Sequence, residues 1–406
     1  MNIVSFVLAG LFWCGLPPAA TGQPQPAPHD LPPAPRVVWH VAFGAPLFSS
    51  PVLSGSLLYC GGLDSILHAI DATTGKEVWH FRTGGEIRST VCISGELLYL
   101  NGGDGMVYTM KKRDGGLLWK VNIGEERKND FADYFQSSPV VRDGVLYVGS
   151  GDGRFSAIDA NTSRVLWTST TGGSVHSTPA IDHGKVFFGS FDGSVYALNG
   201  ADGGQVWKFK TVGHRYFPRG EVQGSPAVFG NLVFVGARDY NVYAIDQEKG
   251  FCHWNKAFGR GWGLSMSVDD SILYIGTSDE RVLIAADPET GRELWNDKME
   301  LLVFGNCAFS DSTLCVGTTI GRLHGIDIRT GRTIWSFATD AYRKNHSQYF
   351  KDDDTYRDDI YTIIKSNEQF LAVECELGGM FSTPVVTPDR IFLTCADGSV
   401  YCLGRE

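Results

Sequence analysis

From Ser50 onward, short apolar runs alternate with polar turns at a nearly constant interval. The unit from Ser177 to Trp207 shows the design. A first run, Ser177-Thr178-Pro179-Ala180-Ile181, is followed by Lys185-Val186-Phe187-Phe188-Gly189-Ser190. The turn Asp192-Gly193 leads into Ser194-Val195-Tyr196-Ala197-Leu198, and Asp202-Gly203-Gly204 leads into a last run around Trp207. Short runs rich in Val, Tyr and Phe predict strands covered on both faces, and Asp-Gly supplies the positive φ of a tight hairpin. Each unit therefore predicts four antiparallel strands.

The same elements recur at Ser50 to Trp79, Ser89 to Trp119, Ser137 to Trp167, Gly224 to Trp254, Leu264 to Trp295 and Gly305 to Trp335. Trp39, Trp79, Trp119, Trp167, Trp207, Trp254, Trp295 and Trp335 mark the repeat, and read as packing anchors. An eighth unit starts at Ser382-Thr383-Pro384 and stops at Leu403 without its tryptophan run, which Val37-Val38-Trp39-His40-Val41 can supply from the other end. Pairing the chain ends closes a ring and leaves it no open edge. The expected fold is all-β: an eight-bladed β-propeller of four-stranded antiparallel blades, closed by the N-terminal strand joining the C-terminal blade. Stacked repeats also explain how 406 residues form one domain, since each unit buries its faces against neighbours.

Two familiar repeats do not fit, because no repeat tryptophan is followed by Asp and the period falls short of the ~50 residues of kelch units. The pattern Ser-x-Pro-Val, Leu-Tyr-Val-Gly-Ser-x-Asp-Gly, Ala-Ile-Asp-Ala-x-Thr, Trp, best seen from Ser137 to Trp167, resembles the repeat of the pyrroloquinoline-quinone (PQQ) dehydrogenases. Cofactor-free BamB-like proteins share that repeat. The resemblance covers residues 37 to 403 and implies the propeller fold. Catalytic and non-catalytic members share it, so activity has to be argued from the site.

Before the repeats, residues 1–22 read as a signal peptide: an apolar run from Ile3 to Leu16 precedes Ala20-Thr21-Gly22. Residues 23–35 hold six prolines and read as an extended tether. The propeller then occupies 36–406, with no membrane span expected after cleavage, as a secreted or periplasmic monomer. A net charge of −10 disfavours nucleic acid as a partner. The cysteines after the leader have no scaffold spacing and no CxxC pair; Cys307 with Cys315 is the pairing singled out as a disulfide.

Most chemical-looking residues recur in most blades and so serve the fold, including the hairpin aspartates. Information lies where the repeats differ. The position before each Ser-x-Pro should sit at the mouth of the central channel; there the blades carry Phe48, Arg88, Gln136, His176, Gln223, Gly263, Phe304 and Phe381. Four polar groups beside an apolar wall suggest a small polar or anionic ligand. Insertions at 124–135, 212–222 and 340–380 should crown that same face, with Arg127, Arg215, Tyr216, Phe217, Arg219, Tyr349 and Phe350 in exposed loops suited to a protein partner. Asp352-Asp353-Asp354 with Asp358 and Asp359 is a possible calcium cluster without EF-hand spacing.

Three functions follow as expectations. The first is an exported, non-catalytic scaffold that binds a protein through the crowned face. The second, implied by the resemblance, is an oxidoreductase with PQQ over the channel and calcium as Lewis acid, acting on alcohols or sugars. Arg88 would be the best contact for the cofactor's carboxylates, although the adjacent cysteines usual in such dehydrogenases are absent from the sequence. The third is a carbohydrate or small-ligand sensor. No catalytic residue is expected.

Overall fold

The computed structural model describes residues 34–130 and 132–404. Within them, thirty-two strands form eight four-stranded antiparallel sheets, each in sequence order except one. In the exception, β1 (Arg36–Ala42) pairs with β32 (Ser399–Gly404), from Arg36 opposite Gly404 to Ala42 opposite Ser399. The sheet runs β1-β32-β31-β30, so the N-terminal strand completes the last blade. The eight-bladed propeller and its closure are as the repeat predicts. The segments read as signal peptide and, for the most part, tether lie outside the described residues.

The cores lie between blades, which is why the inner strands are apolar on both faces. Tyr147, Phe155 and Ala157 of the third blade pack on Val186, Phe188 and Tyr196 of the fourth, with Phe155 and Phe188 stacked at 4.0 Å. In five blades a tryptophan N–H then ties the outer strand to the next blade. Trp167 Nε1 donates to the Gly200 carbonyl at 3.0 Å, and Trp207 Nε1 to that of Gln247 at 2.8 Å. The turn beneath the Trp167 ring needs glycine twice over: Gly203 has φ +74°, and a Cβ there would lie 2.6 Å from Trp167 Cε3. The turn aspartates are structural as well. Asp71 Oδ1 accepts from the backbone N–H of Thr73 and Thr74, and Asp159, Asp287 and Asp327 repeat the pattern.

Two expectations change. Cys307 and Cys315 do not form the expected disulfide. Cys315 lies opposite Ala308, and the two thiols face different cores: Cys307 packs with Tyr274 and Leu283, Cys315 with Leu323 and Tyr401. The insertion 340–380 is not a loop but three helices, α1 (Asp340–Asn345), α2 (Ile360–Ile363) and α3 (Asn367–Glu376). They share a core of their own containing Tyr349, Phe350, Ile360, Phe370 and Val373, seated on Leu301 and Ile320 of the ring. Among the described residues, no helix is long and apolar enough to cross a membrane.

Candidate functional site

The channel mouth is where the repeats diverge, and it is sealed. Tyr134, from the first insertion, stands over it with its ring edge-on to Phe48 at 6.2 Å and to Phe304 at 5.2 Å, and 5.1 Å from Phe381. Ala132, Phe217, Leu371 and Cys375 join that cluster, so all three insertions meet on one face as a single cap. Burial pushes the Tyr134 hydroxyl well above its ordinary pKa, fitting a dry plug.

The polar mouth residues hold this cap down. His176, buried among them, donates from Nδ1 to Asp133 Oδ1 at 2.8 Å and has Glu126 Oε1 3.1 Å from Nε2. Burial alone would favour neutral imidazole, but the two carboxylates outweigh it and push His176 up to about 9. Asp133, whose burial works the other way, is held below its usual range by His176 and Asn129. The imidazole is therefore charged at neutral pH. Next to it, Gln223 Oε1 accepts from Arg238 Nε at 3.0 Å, and Arg238 forks onto Asp130 of the plug at 2.5 and 3.2 Å. The same guanidinium lies 5.0 Å from the Phe191 ring and 5.6 Å from Phe217 and Trp262. Removing Asp130 would leave the buried Arg238 charge without its carboxylate, the costly side on which to break such a pair.

Beneath the plug a cavity of about 530 Å³ follows the channel axis. Arg88 and Gln136 reach it, and so do Phe48, Phe304 and Phe381. Its wall carries a belt of hydroxyls that links successive blades. Ser50 Oγ accepts from Thr383 N, Thr90 Oγ1 from Ser50 N, Ser138 Oγ from Thr90 N, Thr178 Oγ1 from Ser138 N and Ser225 Oγ from Thr178 N, at 2.9–3.2 Å. Thr383 Oγ1 in turn accepts from Asn306 N at 2.9 Å. The first strands β2 (Val52–Ser54), β14 (Ala180–Asp182), β18 (Ala227–Phe229) and β26 (Ala308–Ser310) are half-buried throughout, as the wall of a solvent-reached channel should be.

The structure thus brings Gln136, His176, Gln223, Phe48, Phe304 and Phe381 together at the mouth, buried. Arg88 is half-buried and its guanidinium pairs with Glu86. Arg215, Tyr216 and Arg219 stand exposed on the cap, and Arg127 is exposed and paired with Glu125 at 2.9 Å. Tyr349 and Phe350 do not stand exposed: they belong to the helical core, where Tyr349 donates to Glu376 Oε2 at 2.5 Å. Three residues escaped the repeat comparison. Tyr134 lies inside an insertion. Arg238 sits before the hairpin aspartate, a position held by Leu63, Gly103 and Gly151 in earlier blades, and Trp262 is out of step with the tryptophan period. Those departures were the available signals.

The sequence model described as outer membrane protein assembly factor BamB matches residues 32–129, 103–216 and 192–406, nearly the whole ring. The chain belongs to the BamB family. No curated protein matches it. BamB from Moraxella catarrhalis is a structural neighbour at 16% identity, covering 92% of this chain and 100% of that one, with a TM-score of 0.67. A europium-containing methanol dehydrogenase superposes with a TM-score of 0.67 at 11% identity, covering 91% and 93% of the two chains. The quinohemoprotein alcohol dehydrogenase of Comamonas testosteroni gives 0.67 at 13%, covering 91% and 77%. At these identities the neighbours share the fold.

The dehydrogenase neighbours raise the question of whether this BamB-family ring fits PQQ and a metal. A planar quinone over the channel needs the space that Tyr134 and its three phenylalanine partners fill. The acidic run is engaged internally: Asp354 takes Arg322 and Tyr342 at 2.6 Å, with His346 beside it, and Asp358 pairs with Lys351. Among the described residues no group of three or more His, Cys, Asp or Glu converges to hold an ion. These residues do not fit the cofactor or the calcium cluster.

Proposed function

We propose that this BamB-family protein is an exported, non-catalytic scaffold that binds a protein partner through the capped face. The observation that carries this reading is how the polar mouth residues are used. His176, Gln223 and Arg238 anchor the plug, so the divergent part of the ring supports a shaped outer surface. On that surface Arg215 lies 4.3 Å over the Tyr216 ring, with Arg219 exposed nearby in the chain and Val212 79% exposed. Arginine and tyrosine beside exposed aliphatic surface is the composition of interface anchors. On a chain of net charge −10, a local arginine cluster favours a partner segment carrying acidic residues.

The test is affinity capture of cross-linked complexes from the cell envelope with the wild-type chain and with Arg215→Glu/Tyr216→Ala/Arg219→Glu. A specific partner recovered by the wild type and lost with the triple variant, at unchanged melting temperature, is the expected result. Equal recovery by both proteins would remove this face from the account.

A further inference from the structure

We infer that the central chamber beneath the plug binds a small carboxylate bearing an apolar ring or short chain. Its volume of about 530 Å³ is that of a ligand pocket, which runs ~300–1,000 Å³, and it is closed at the capped end. The chemistry of its wall sets the class of ligand.

The wall is rich in donors. Each belt hydroxyl already accepts a backbone N–H from the neighbouring blade, which fixes its oxygen. Among the described residues, none of these six hydroxyls has a protein acceptor for its own hydrogen, so those hydrogens serve the lumen. Gln136 is more constrained still. Its Oε1 is committed to the N–H of Arg88 and Ser89 at 3.1 and 3.2 Å, which sets the amide's orientation. Its Nε2 is buried without a protein acceptor, on a side chain 4% exposed that lines the chamber. An unmatched buried donor in a donor-lined cavity calls for an acceptor-rich guest.

The two sides of the blind end differ. Phe48, Leu264, Phe304 and Phe381 come from four neighbouring blades, the first and the sixth to eighth, while Arg88 and Gln136 come from the second and third. Water alone would be poorly held by the phenylalanine side, since an ordered water needs two to four polar partners. A sugar has hydroxyls on every edge that need polar partners, and the phenylalanine side supplies none. A carboxylate on Gln136, Arg88 and the nearest hydroxyls, with its apolar body against the phenylalanines, uses both sides. This site is separate from the cap's outer face, so it stands or falls independently of the partner.

The test uses the full mature chain with 4-fluorobenzoate as probe, followed by fluorine NMR and calorimetry, with glucose in parallel. Single-site saturable binding is expected. Affinity should fall on the order of tenfold in Gln136→Glu, which keeps an acceptor for Arg88 and Ser89 but puts an oxygen where Nε2 was. Arg113→Ala, on an exposed outer turn, should bind like wild type. Should Gln136→Glu fail to melt cooperatively, Thr178→Ala provides the same reading by removing one belt hydroxyl. Titration to ~10 mM without saturation, a Kd weaker than about that value, would overturn the proposal. So would equal affinity in the folded variant, or glucose binding as tightly as the carboxylate.

Discussion

The wall of the ring and the cap over its mouth solve the same problem, keeping buried polar groups paired, in opposite ways. In the wall the solution is repeated. A hydroxyl accepts from the preceding blade, a tryptophan N–H reaches the next turn, a glycine makes room, and each of these contacts is used in several blades. In the cap the solution is made once. His176 has its own two carboxylates and Arg238 has Asp130, all three drawn from the first insertion, which has no counterpart in other blades. Repetition gives the wall tolerance, because losing one contact leaves others like it. The cap has no spare, so charge and pH should act on it first.

The largest effect is expected in the wall. Trp207 is the most buried of the repeat tryptophans, packed against Phe187 in the core between the fourth and fifth blades. Trp207→Ala should cost ~3–5 kcal/mol, read as a lower midpoint in denaturant. A midpoint within error of wild type would mean that these anchors do not join the blades.

The cap should instead respond to pH. The stabilisation from His176 is fully present below its unfolded pKa of about 6.5 and is lost as pH rises through about 9. Asp133, shifted down, contributes above about 3.9 and loses that contribution as pH falls further. Protection of residues 124–135 against amide exchange, corrected for the intrinsic rate, should be greatest between about pH 4 and 6.5 and weaken toward pH 9. The first strands should show no such trend; a parallel loss there would make it a property of the whole ring.

The smallest effect separates backbone from contact. Gly184 has φ +72° with nothing near its missing Cβ, so Gly184→Ala should cost about 1 kcal/mol. Gly203 has a similar φ of +74° but faces the Trp167 ring, and Gly203→Ala should cost ~1–3 kcal/mol more. Equal costs would remove the tryptophan-on-turn contact from the interblade account.

The same contrast governs what was legible in the sequence. Strand number, ring closure and the structural role of Asp71 or Asp159 could be read because each is stated several times over, at a constant spacing. The mouth positions could be aligned for the same reason, and six of them do converge. Their partners could not be read. Asp133 and Tyr134 lie in an insertion whose path no repeat dictates, and Arg238 meets Asp130 across 108 positions of chain. Tyr349 and Phe350 looked like loop aromatics because the helices that bury them carry mixed, weakly patterned residues. Cys307 and Cys315 sit on adjoining stretches, but the alternation of a strand turned them to opposite faces.

The account rests on the polar mouth residues being occupied by the plug, and amide exchange at Asn129 tests this most directly. Its N–H donates at 2.7 Å to Oδ2 of Asp133, the buried carboxylate that His176 holds through its other oxygen. It should exchange slowly in wild type and much faster in Arg238→Met, while β14 keeps its protection in both. Exchange at the rate of a solvated loop in the wild-type protein would contradict the seal.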